Sequence, residues 1–344
     1  MNMSFKRAFK CFLVRLPFVK GLALSLTRHV PRILMYHRFE AVRGGDGTIV
    51  SRETFEWQIG VIKADFRAKT LSECIEQSQN GGTRNGIVAL TIDDGYDDFY
   101  AIAYPILLGN GIPATLFVVT SYVGGESWFW WDRLRYILKQ APEARKEWRY
   151  QRDLFIVDKT TPAKESKTWH RLADYCMTLS ESERLRFIGA VADMLGIVVP
   201  DTPVGPYKQI GWDRIVDLSN HGVEIGSHTV SHRILTDLDD GSLRQELELS
   251  KKEIEARIGR TVKTFCYPNG QTSDYNEQVV AAVEKAGYQG AVVAHEGPYR
   301  PAERYKITRV SVSEDRIDFL WKIYGMDFLI MRIKKLFKRS VPGS

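Results

Sequence analysis

The chain has 344 residues, 44% of them hydrophobic, so it is long enough and apolar enough to bury a full core. Its net charge of +6 hides an asymmetry, because the two ends together hold +12 and leave the body at about −6. The part of the chain between the two ends is therefore disfavoured as a nucleic-acid binder, since phosphate recognition needs clustered positive charge. One large α/β domain with an insertion fits this length as well as two domains would, and we expect no nucleic-acid partner.

The cysteines and the N-terminal region indicate the compartment. Four cysteines at 11, 74, 176 and 266 show no C-x-x-C spacing, so neither a zinc knuckle nor a disulfide framework is predicted. The longest uncharged run near the N-terminus, residues 21–27, is too short for a signal-peptide core or a membrane span. We expect a cytoplasmic protein with reduced thiols, with attachment to the inner membrane face as a further option.

Residues 1–30 form a basic amphipathic segment in which Lys and Arg alternate with Phe and Leu. This pattern predicts a helix interrupted at Pro17. Such a helix can lie on an anionic membrane surface or pack on the body, and both interpretations stay open. Residues 317–344 repeat the mixture of bulky apolar and basic side chains, and two such ends favour peripheral membrane attachment.

Between these ends, residues 31–316 alternate strand-like and helix-like segments. Strand, helix, strand is the rhythm of a parallel sheet, and about seven such units with polar residues at strand ends fit an α/β barrel. Ser51 is the predicted N-cap of the first helix. The predicted strands are 32–37, 87–92, 114–120, 223–228, 261–268, 290–295 and 307–312, and the predicted helices are 51–64, 98–110, 212–222, 242–258 and 274–286.

Two of these strands end in side chains that suit a metal ion. Asp93 and Asp94 end the buried strand IVALTI, and two neighbouring carboxylates repel each other unless a cation lies close by. His228 and His232 follow another strand and, being four apart, can face the same way on one helical turn. Neutral imidazole suits Zn, Co, Ni or Fe better than Mg or Ca, so one carboxylate and two histidines predict a facial metal site. Spacing alone does not decide which aspartate binds.

Three segments resemble a known family. Residues 91–96 (TIDDGY) and 228–232 (HTVSH) resemble the first two motifs of the polysaccharide deacetylases, also called carbohydrate esterase family 4 or the NodB-homology group. Residues 266–270 (CYPNG) resemble the third motif. The resemblance covers roughly residues 30–315 apart from an insertion, and it is closest to members that act in exopolysaccharide synthesis. It implies the family's distorted (β/α)7 barrel, with the catalytic domain at 31–316.

The resemblance also implies roles for the motif residues. Asp94, His228 and His232 would hold the divalent metal, with zinc expected and Co, Ni or Fe as alternatives, and Asp93 would be the general base. In the third motif, Pro268 and Gly270 fix a tight turn in which the N–H of Asn269 can hold the developing oxyanion. The predicted substrate-binding residues are Tyr267, Pro268, Asn269, Trp128 and Arg309.

This chain departs from the family pattern at two places. The family's third motif usually begins with an arginine that orients the base, whereas this chain has Cys266, and Arg309 is the best substitute by position. The family's late histidine, the general acid in many members, has no clear counterpart. We predict that His37, which ends the first strand, supplies the proton, with His295 or water as the alternatives.

Residues 127–205 match no motif of the family. Their helical, amphipathic pattern places Trp131, Leu134 and Leu138 at core spacing, whereas Trp128 or Trp130, at the mouth of the segment, can stack on a sugar ring. An insertion between the third strand and the second motif is expected over the active-site face, as a lid or a substrate platform.

The sequence therefore predicts a metal-dependent hydrolase that removes N-acetyl groups from amino sugars of a polysaccharide or a lipid-linked glycan precursor. One alternative is a catalytically silent carbohydrate-binding relative within a polysaccharide assembly. Another is a deacylase of N-formyl or O-acetyl groups. A haloacid-dehalogenase-type phosphatase is disfavoured, because that class needs acids two residues apart and Asp93 and Asp94 are adjacent.

Overall fold

A computed structural model describes residues 3–43, 49–80, 86–297 and 300–330. The chain divides into two compact units. The larger unit combines Met1–Gly124 with Gln209–Ser344, and the smaller unit is Gly125–Lys208.

The first part of the larger unit begins with two helices and then alternates strands and helices. The side chain of Ser51 accepts a hydrogen bond from the Thr54 N–H, so the predicted N-cap of the first barrel helix is confirmed. The elements are α1 (Met3–Arg15), α2 (Pro17–Thr27), β1 (Arg32–Tyr36), β2 (Arg38–Glu40), β3 (Ile49–Ser51), α3 (Arg52–Asp65), β4 (Arg67–Lys69), α4 (Leu71–Gln79), β5 (Ile87–Ile92), a π-helical turn (Phe99–Ala103), α5 (Tyr104–Asn110), β6 (Thr115–Val118) and α6 (Thr120–Val123).

The smaller unit contains α7 (Trp130–Gln140), β7 (Arg145–Tyr150), β8 (Asp153–Asp158), α8 (Pro162–Met177) and α9 (Glu181–Leu195). The expectation of a purely helical insertion was wrong, because β7 and β8 pair as an antiparallel hairpin. Charged residues dominate β7, which hides the alternation that marks a strand. Leu134 and Leu138 lie in the core of this unit as predicted, together with Phe155 and Phe187.

The larger unit resumes after residue 208. Its remaining elements are α10 (Trp212–Asn220), β9 (Glu224–Ser227), α11 (Asp240–Ile258), β10 (Thr264–Cys266), α12 (Glu277–Lys285), β11 (Gly290–Val292), β12 (Val310–Ser311) and α13 (Arg316–Ile323). Residues 326–330 are also helical. The part of the predicted basic C-terminal segment from residue 331 onward lies outside the described residues.

Seven parallel strands form one curled sheet in the order β11-β10-β9-β6-β5-β1-β12, and β4 adds to β5 off this path. The prediction of a distorted α/β barrel is confirmed. All six residues of β5 are buried, as expected of a parallel strand covered on both faces. Because the strands are parallel, β1, β5, β9, β10 and β12 deliver the residues that follow them to the same edge of the sheet.

The two N-terminal helices pack on the larger unit through their basic side chains. Arg7 pairs with Asp315 at 3.1 Å, and Lys20 pairs with Asp65 at 2.7 Å. Two aromatic side chains of these helices face outward instead, with Phe12 60% and Phe18 79% exposed. Within the described ranges, no helix has both the length and the apolar character that crossing a bilayer requires.

Candidate metal centre and active site

Asp93 and Asp94 follow β5 at its carboxyl end. The Gly95 N–H donates to the Asp93 carbonyl at 3.0 Å, which closes a three-residue turn with Asp94 at its centre in the left-handed region, at φ 76°. A Cβ on Gly95 would lie 2.7 Å from Cγ1 of Val123, and its φ is 90°, so only glycine fits there. The sharp turn allows the two adjacent carboxylates to face different partners.

His228 and His232 follow β9, but the connection between them is a loop. The expected helical turn was wrong, because Thr229 and His232 have left-handed backbone angles, at φ 70° and 58°. These angles bring the two imidazoles together, with ring centroids 4.7 Å apart and planes at 87°. Strained backbone of this kind is typical of functional sites.

Asp94, His228 and His232 converge on one point. Oδ1 of Asp94 lies 3.6 Å from Nε2 of each histidine, and one ligand atom from each residue lies within 4.8 Å of the others. Burial lowers the pKa of His228 to about 4 and lowers the pKa of His232 well below its usual value, so both rings are neutral near pH 7. Two neutral imidazoles and one carboxylate on one side of a point fit a first-row divalent cation.

Other parts of the larger unit hold these ligands in place. Nδ1 of His228 donates to the Cys266 carbonyl at 2.8 Å, which turns Nε2 towards Asp94. Glu246 of α11 accepts hydrogen bonds from the N–H groups of Val230, at 2.8 Å, and Ser231, at 2.9 Å. This role of Glu246 could not be predicted from the sequence, because its carboxylate lies on α11 and no motif marks it.

Asp93 is held by Arg309, which immediately precedes β12. Nη1 of Arg309 lies 2.7 Å from Oδ1 of Asp93, and Nη2 lies 2.7 Å from Oδ2, a two-pronged ion pair in which Arg309 is 1% exposed. Burial alone would raise the pKa of Asp93, but the charge of Arg309, with a smaller effect of His37, outweighs burial and holds it well below its usual range. Asp93 is therefore ionised near neutral pH.

Cys266 occupies the space beside this ion pair. Its Sγ lies 3.3 Å from Nη2 of Arg309 and 3.6 Å from Oδ2 of Asp93. Burial raises the pKa of the Cys266 thiol well above its usual value, although Arg309 opposes the shift, so the group is a neutral thiol near pH 7. Arg309 therefore places a guanidinium beside Cys266, the residue at the start of the third motif, and this guanidinium pairs with Asp93.

The two candidate proton donors lie in different surroundings. Nε2 of His37 lies 3.7 Å from Oδ2 of Asp93, with its side chain 40% exposed. Nε2 of His295 instead makes a 2.8 Å hydrogen bond to the hydroxyl of Tyr275. Desolvation lowers the pKa of His37, Asp93 opposes this shift and Arg309 reinforces it. The structure therefore brings His37, and not His295, to the carboxylate of Asp93.

The third motif forms the tight turn that the sequence predicts. The Gly270 N–H donates to the Pro268 carbonyl at 2.6 Å, and Asn269 between them is left-handed at φ 58°. A Cβ on Gly270 would lie 2.7 Å from the backbone N of Ala294, so glycine is required. Nδ2 of Asn269 donates to Oδ2 of Asp274 at 2.8 Å, and the role of the Asn269 N–H in holding the oxyanion stays a prediction.

The other predicted substrate contacts are less accessible. Tyr267 is 1% exposed, and its hydroxyl donates to the Tyr305 carbonyl at 2.9 Å. Trp128 is 5% exposed, and its ring packs against the rings of Tyr136 and Tyr207 inside the smaller unit. Pro268 is also buried. Contact of these side chains with a sugar stays a prediction, and so does the expected position of the insertion as a lid.

Comparisons with known proteins agree with this arrangement. The family model described as polysaccharide deacetylase matches residues 80–150 and 188–291, about half of the chain. YxkH of Bacillus subtilis, whose own assignment as a polysaccharide deacetylase is provisional, is 22% identical over 284 residues, which cover 82% of this chain and 71% of the relative. A poly-β-1,6-N-acetyl-D-glucosamine N-deacetylase of Staphylococcus aureus is 38% identical over 79 residues, only 23% of this chain and 27% of that enzyme.

Two solved structures have the same fold. The deacetylase PplD of Streptococcus pyogenes, solved with acetate, superposes with a TM-score of 0.57 at 17% identity and covers 86% of this chain and 98% of its own. IcaB of Ammonifex degensii superposes with a TM-score of 0.54 at 16% identity and covers 86% and 97%. The chain belongs to the polysaccharide deacetylase family and is a hydrolase that acts on carbon–nitrogen bonds.

Proposed function

We propose that this protein is a metal-dependent N-deacetylase that removes acetyl groups from amino sugars of a polysaccharide or a lipid-linked glycan precursor. The observation that carries the proposal is the pairing of two adjacent carboxylates with different surroundings. Asp94 faces His228 and His232, whereas Asp93 is held by Arg309. A binding module has no need for this division, but a hydrolase requires a metal ligand and a separate base.

Each step of amide hydrolysis has a candidate group in the larger unit. When bound by Asp94, His228 and His232, a divalent cation would polarise the acetyl oxygen and acidify water. Asp93 takes the proton of the attacking water, and the Asn269 N–H holds the oxyanion. His37 gives a proton to the amine as it leaves.

Zinc is the proposed metal, with Co, Ni or Fe as alternatives. Neutral imidazoles favour these ions over Mg or Ca, which prefer all-oxygen sites. The low pKa of His228, about 4, supports the proposal because both histidines can bind without first losing a proton.

The amino-sugar substrate is supported by the segment similar to the Staphylococcus aureus poly-N-acetylglucosamine N-deacetylase, which spans 27% of that enzyme. The test is the metal content of the purified protein together with acetate release from N-acetylglucosamine oligomers and from membrane extracts. Stoichiometric metal with acetate release supports the proposal. Activity only towards O-acetyl or N-formyl sugars would favour the deacylase alternative, and neither metal nor release would favour the silent carbohydrate-binding relative.

We propose further that the enzyme attaches to an anionic membrane surface through its N-terminal helices. Phe9, Phe12 and Phe18 are 47%, 60% and 79% exposed, which is unusual for large aromatic side chains that lie close together in sequence. The exposed Arg15 lies among them and suits anionic headgroups. The packing of these helices within the larger unit is compatible with attachment, because these three phenylalanine side chains remain exposed.

A further inference from the structure

His37 forms the one-residue link between β1 and β2. Its Nε2 lies 3.7 Å from Oδ2 of Asp93, beyond hydrogen-bond distance, and the ring is 40% exposed. Within the described part of the chain, the side chain makes no other hydrogen bond or ion pair. The position of the ring must therefore be set by the backbone on either side of it.

Both neighbours of His37 are tied to the segment that carries Asp93. On one side, the Asp93 N–H donates to the Tyr36 carbonyl at 3.0 Å. On the other side, Nε of Arg38 donates to Oδ2 of Asp98 at 2.7 Å. Because Asp98 is only five residues after Asp93, these two bonds bracket His37 and fix its backbone relative to the carboxylate of Asp93.

Arg38 and Asp98 form a buried ion pair, and removing two charges from water costs desolvation free energy. Both side chains are 12% exposed, so the ion pair is largely removed from water. Burial raises the pKa of Asp98 to about 6, although Arg38 opposes the shift. A buried ion pair often stabilises a fold less than apolar packing would. Its contribution is better attested in specifying the relative position of two segments.

Arg38 is also fixed from a second direction. Its guanidinium lies over the ring of Tyr96, 4.1 Å from the centroid, and Tyr96 belongs to the same segment as Asp98. The following residue, Phe39, packs near Phe99, which begins the π-helical turn after Asp98. β2 is thus attached to the residues after β5 by an ion pair, a cation–π contact and an aromatic contact.

We propose that Asp98 and Arg38 are positioning residues, whose ion pair holds His37 over Asp93 so that its Nε2 can protonate the leaving nitrogen. This inference depends on the proposed role of His37 as proton donor. Arg38 and Asp98 would act through His37 without touching the substrate. The proposal thus gives a role to Asp98, a buried carboxylate that is not a candidate metal ligand.

The experiment compares Asp98→Asn, Arg38→Met and the control Asp97→Asn. Asp97 pairs with Arg214 rather than with β2, so its substitution removes an adjacent carboxylate without releasing His37. Each variant is assayed on an N-acetylglucosamine oligomer and on 4-nitrophenyl acetate, whose leaving group needs no proton. We expect Asp98→Asn and Arg38→Met to lower kcat on the amide by about 10- to 100-fold, with KM, metal content and ester hydrolysis little changed. Asp97→Asn should resemble the wild type in all assays.

A second set of variants separates positioning from a general effect on the fold. In a His37→Ala background, Asp98→Asn should cause no further loss on the amide, because the group it positions is already gone. Equal losses on both substrates, or additive losses in the double variant, would overturn the proposal. If Asp98→Asn does not fold, Arg38→Met tests the same link from the other side.

The outcome also distinguishes this inference from the proposed function. A wild-type protein that releases no acetate contradicts the deacetylase activity itself. An active enzyme in which His37→Ala has no effect contradicts the role of His37 and the positioning proposal with it. An enzyme impaired by His37→Ala but not by Asp98→Asn or Arg38→Met contradicts the positioning proposal alone.

Discussion

Arg309 binds both carboxylate oxygens of Asp93, at 2.7 Å each, although 216 residues separate the two in the chain. Nε of the same guanidinium donates to the Val293 carbonyl at 2.9 Å, and Nη1 donates to the Thr91 hydroxyl at 3.1 Å. One side chain thus connects three strands of the sheet at the edge where the active site lies. Cys266 lies directly beside it, with Sγ 3.3 Å from Nη2, which agrees with the prediction that Arg309 substitutes for an arginine at the start of the third motif.

The first prediction concerns this ion pair. Arg309→Met should leave the buried Asp93 without its partner and lower the free energy of unfolding by about 3–5 kcal/mol. Loss of the neighbouring charge should also raise the pKa of Asp93, so the acid limb of the pH–rate profile should move to higher pH. Urea unfolding and kcat/KM against pH are the measurements.

The double variant Arg309→Met/Asp93→Asn is the control for that experiment. It removes the unpaired charge and should regain most of the lost stability while staying inactive. If it is no more stable than Arg309→Met alone, the cost does not come from the isolated carboxylate.

The second prediction concerns the metal. Asp94→Ala, His228→Ala and His232→Ala should each abolish both stoichiometric metal and activity, whereas Asp93→Asn should abolish activity and retain the metal. Binding should also stabilise the wild type towards unfolding, by about 2.7 kcal/mol at a metal concentration a hundredfold above Kd. Metal analysis and thermal unfolding with and without chelator measure this. Metal that survives both Asp94→Ala and His228→Ala would mean that the site has been assigned to the wrong residues.

The third prediction separates the two histidine candidates. His37→Ala should lower turnover of an amide substrate by about 100-fold or more with the metal retained, because an amide nitrogen leaves poorly without a proton donor. His295→Ala should have little effect, since its Nε2 is already bonded to the Tyr275 hydroxyl. Single-turnover acetate release from an N-acetylated oligomer is the measurement. The reverse pattern would assign the acid to the later strand.

The fourth prediction is the pH dependence of stability in the metal-free protein. The pKa of His228 is lowered to about 4 in the folded state by burial, whereas the unfolded chain has the ordinary value of about 6.5. Between these two values the unfolded chain binds a proton that the folded protein does not, so stability should fall as the pH decreases from 6.5 towards 4. His232 shifts in the same direction and adds to the effect.

The measurement is urea unfolding of the chelated protein from pH 7 to pH 4.5. His228→Gln should reduce the slope in this window, and the control His170→Gln, on an exposed face of α8, should leave it unchanged. A stability profile that is as steep in His228→Gln as in the wild type would show that other groups govern the acid limb.

The strand ends that carry the candidate metal ligands could be predicted from the sequence, whereas the residues that support those ligands could not. The strand ends that carry Asp93, Asp94 and His228 were predictable, because apolar runs that stop at polar residues mark the edge of a parallel sheet. The loop from His228 to His232 was not, since a four-residue spacing suits a helical turn equally well and the left-handed angles depend on tertiary contacts.

The supporting residues were harder to find for a further reason. Glu246 and Asp98 act through hydrogen bonds to backbone or to a distant arginine, and neither contact leaves a periodic pattern in the sequence. Arg309 could be named only as a candidate by position. The hairpin of β7 and β8 escaped notice because its charged side chains obscure the two-residue period.

The fifth prediction concerns the N-terminal helices. The double variant Phe12→Asp/Phe18→Asp should weaken sedimentation with anionic vesicles, because it removes two large apolar side chains that are 60% and 79% exposed. Leu185→Asp, at a residue that is 46% exposed on α9, is the matched control and should sediment like the wild type. Deletion of residues 1–28 should also weaken binding, more at low salt than at high salt. A full-length protein that ignores anionic vesicles contradicts membrane attachment.

The segment from Arg304 to Ser311 joins both edges of the curled sheet. Its first half bonds to β11, where the Ile307 N–H donates to the Ala291 carbonyl at 2.9 Å, and its second half pairs with β1, where Leu34 lies opposite Val310. Contacts between residues so distant in sequence form slowly, because the intervening chain must first be ordered. During synthesis on the ribosome, this segment emerges after all the other strands of the sheet. A nascent chain that still lacks this segment has no Arg309 to hold Asp93, the proposed general base, so hydrolytic activity should appear only when the last strand is in place.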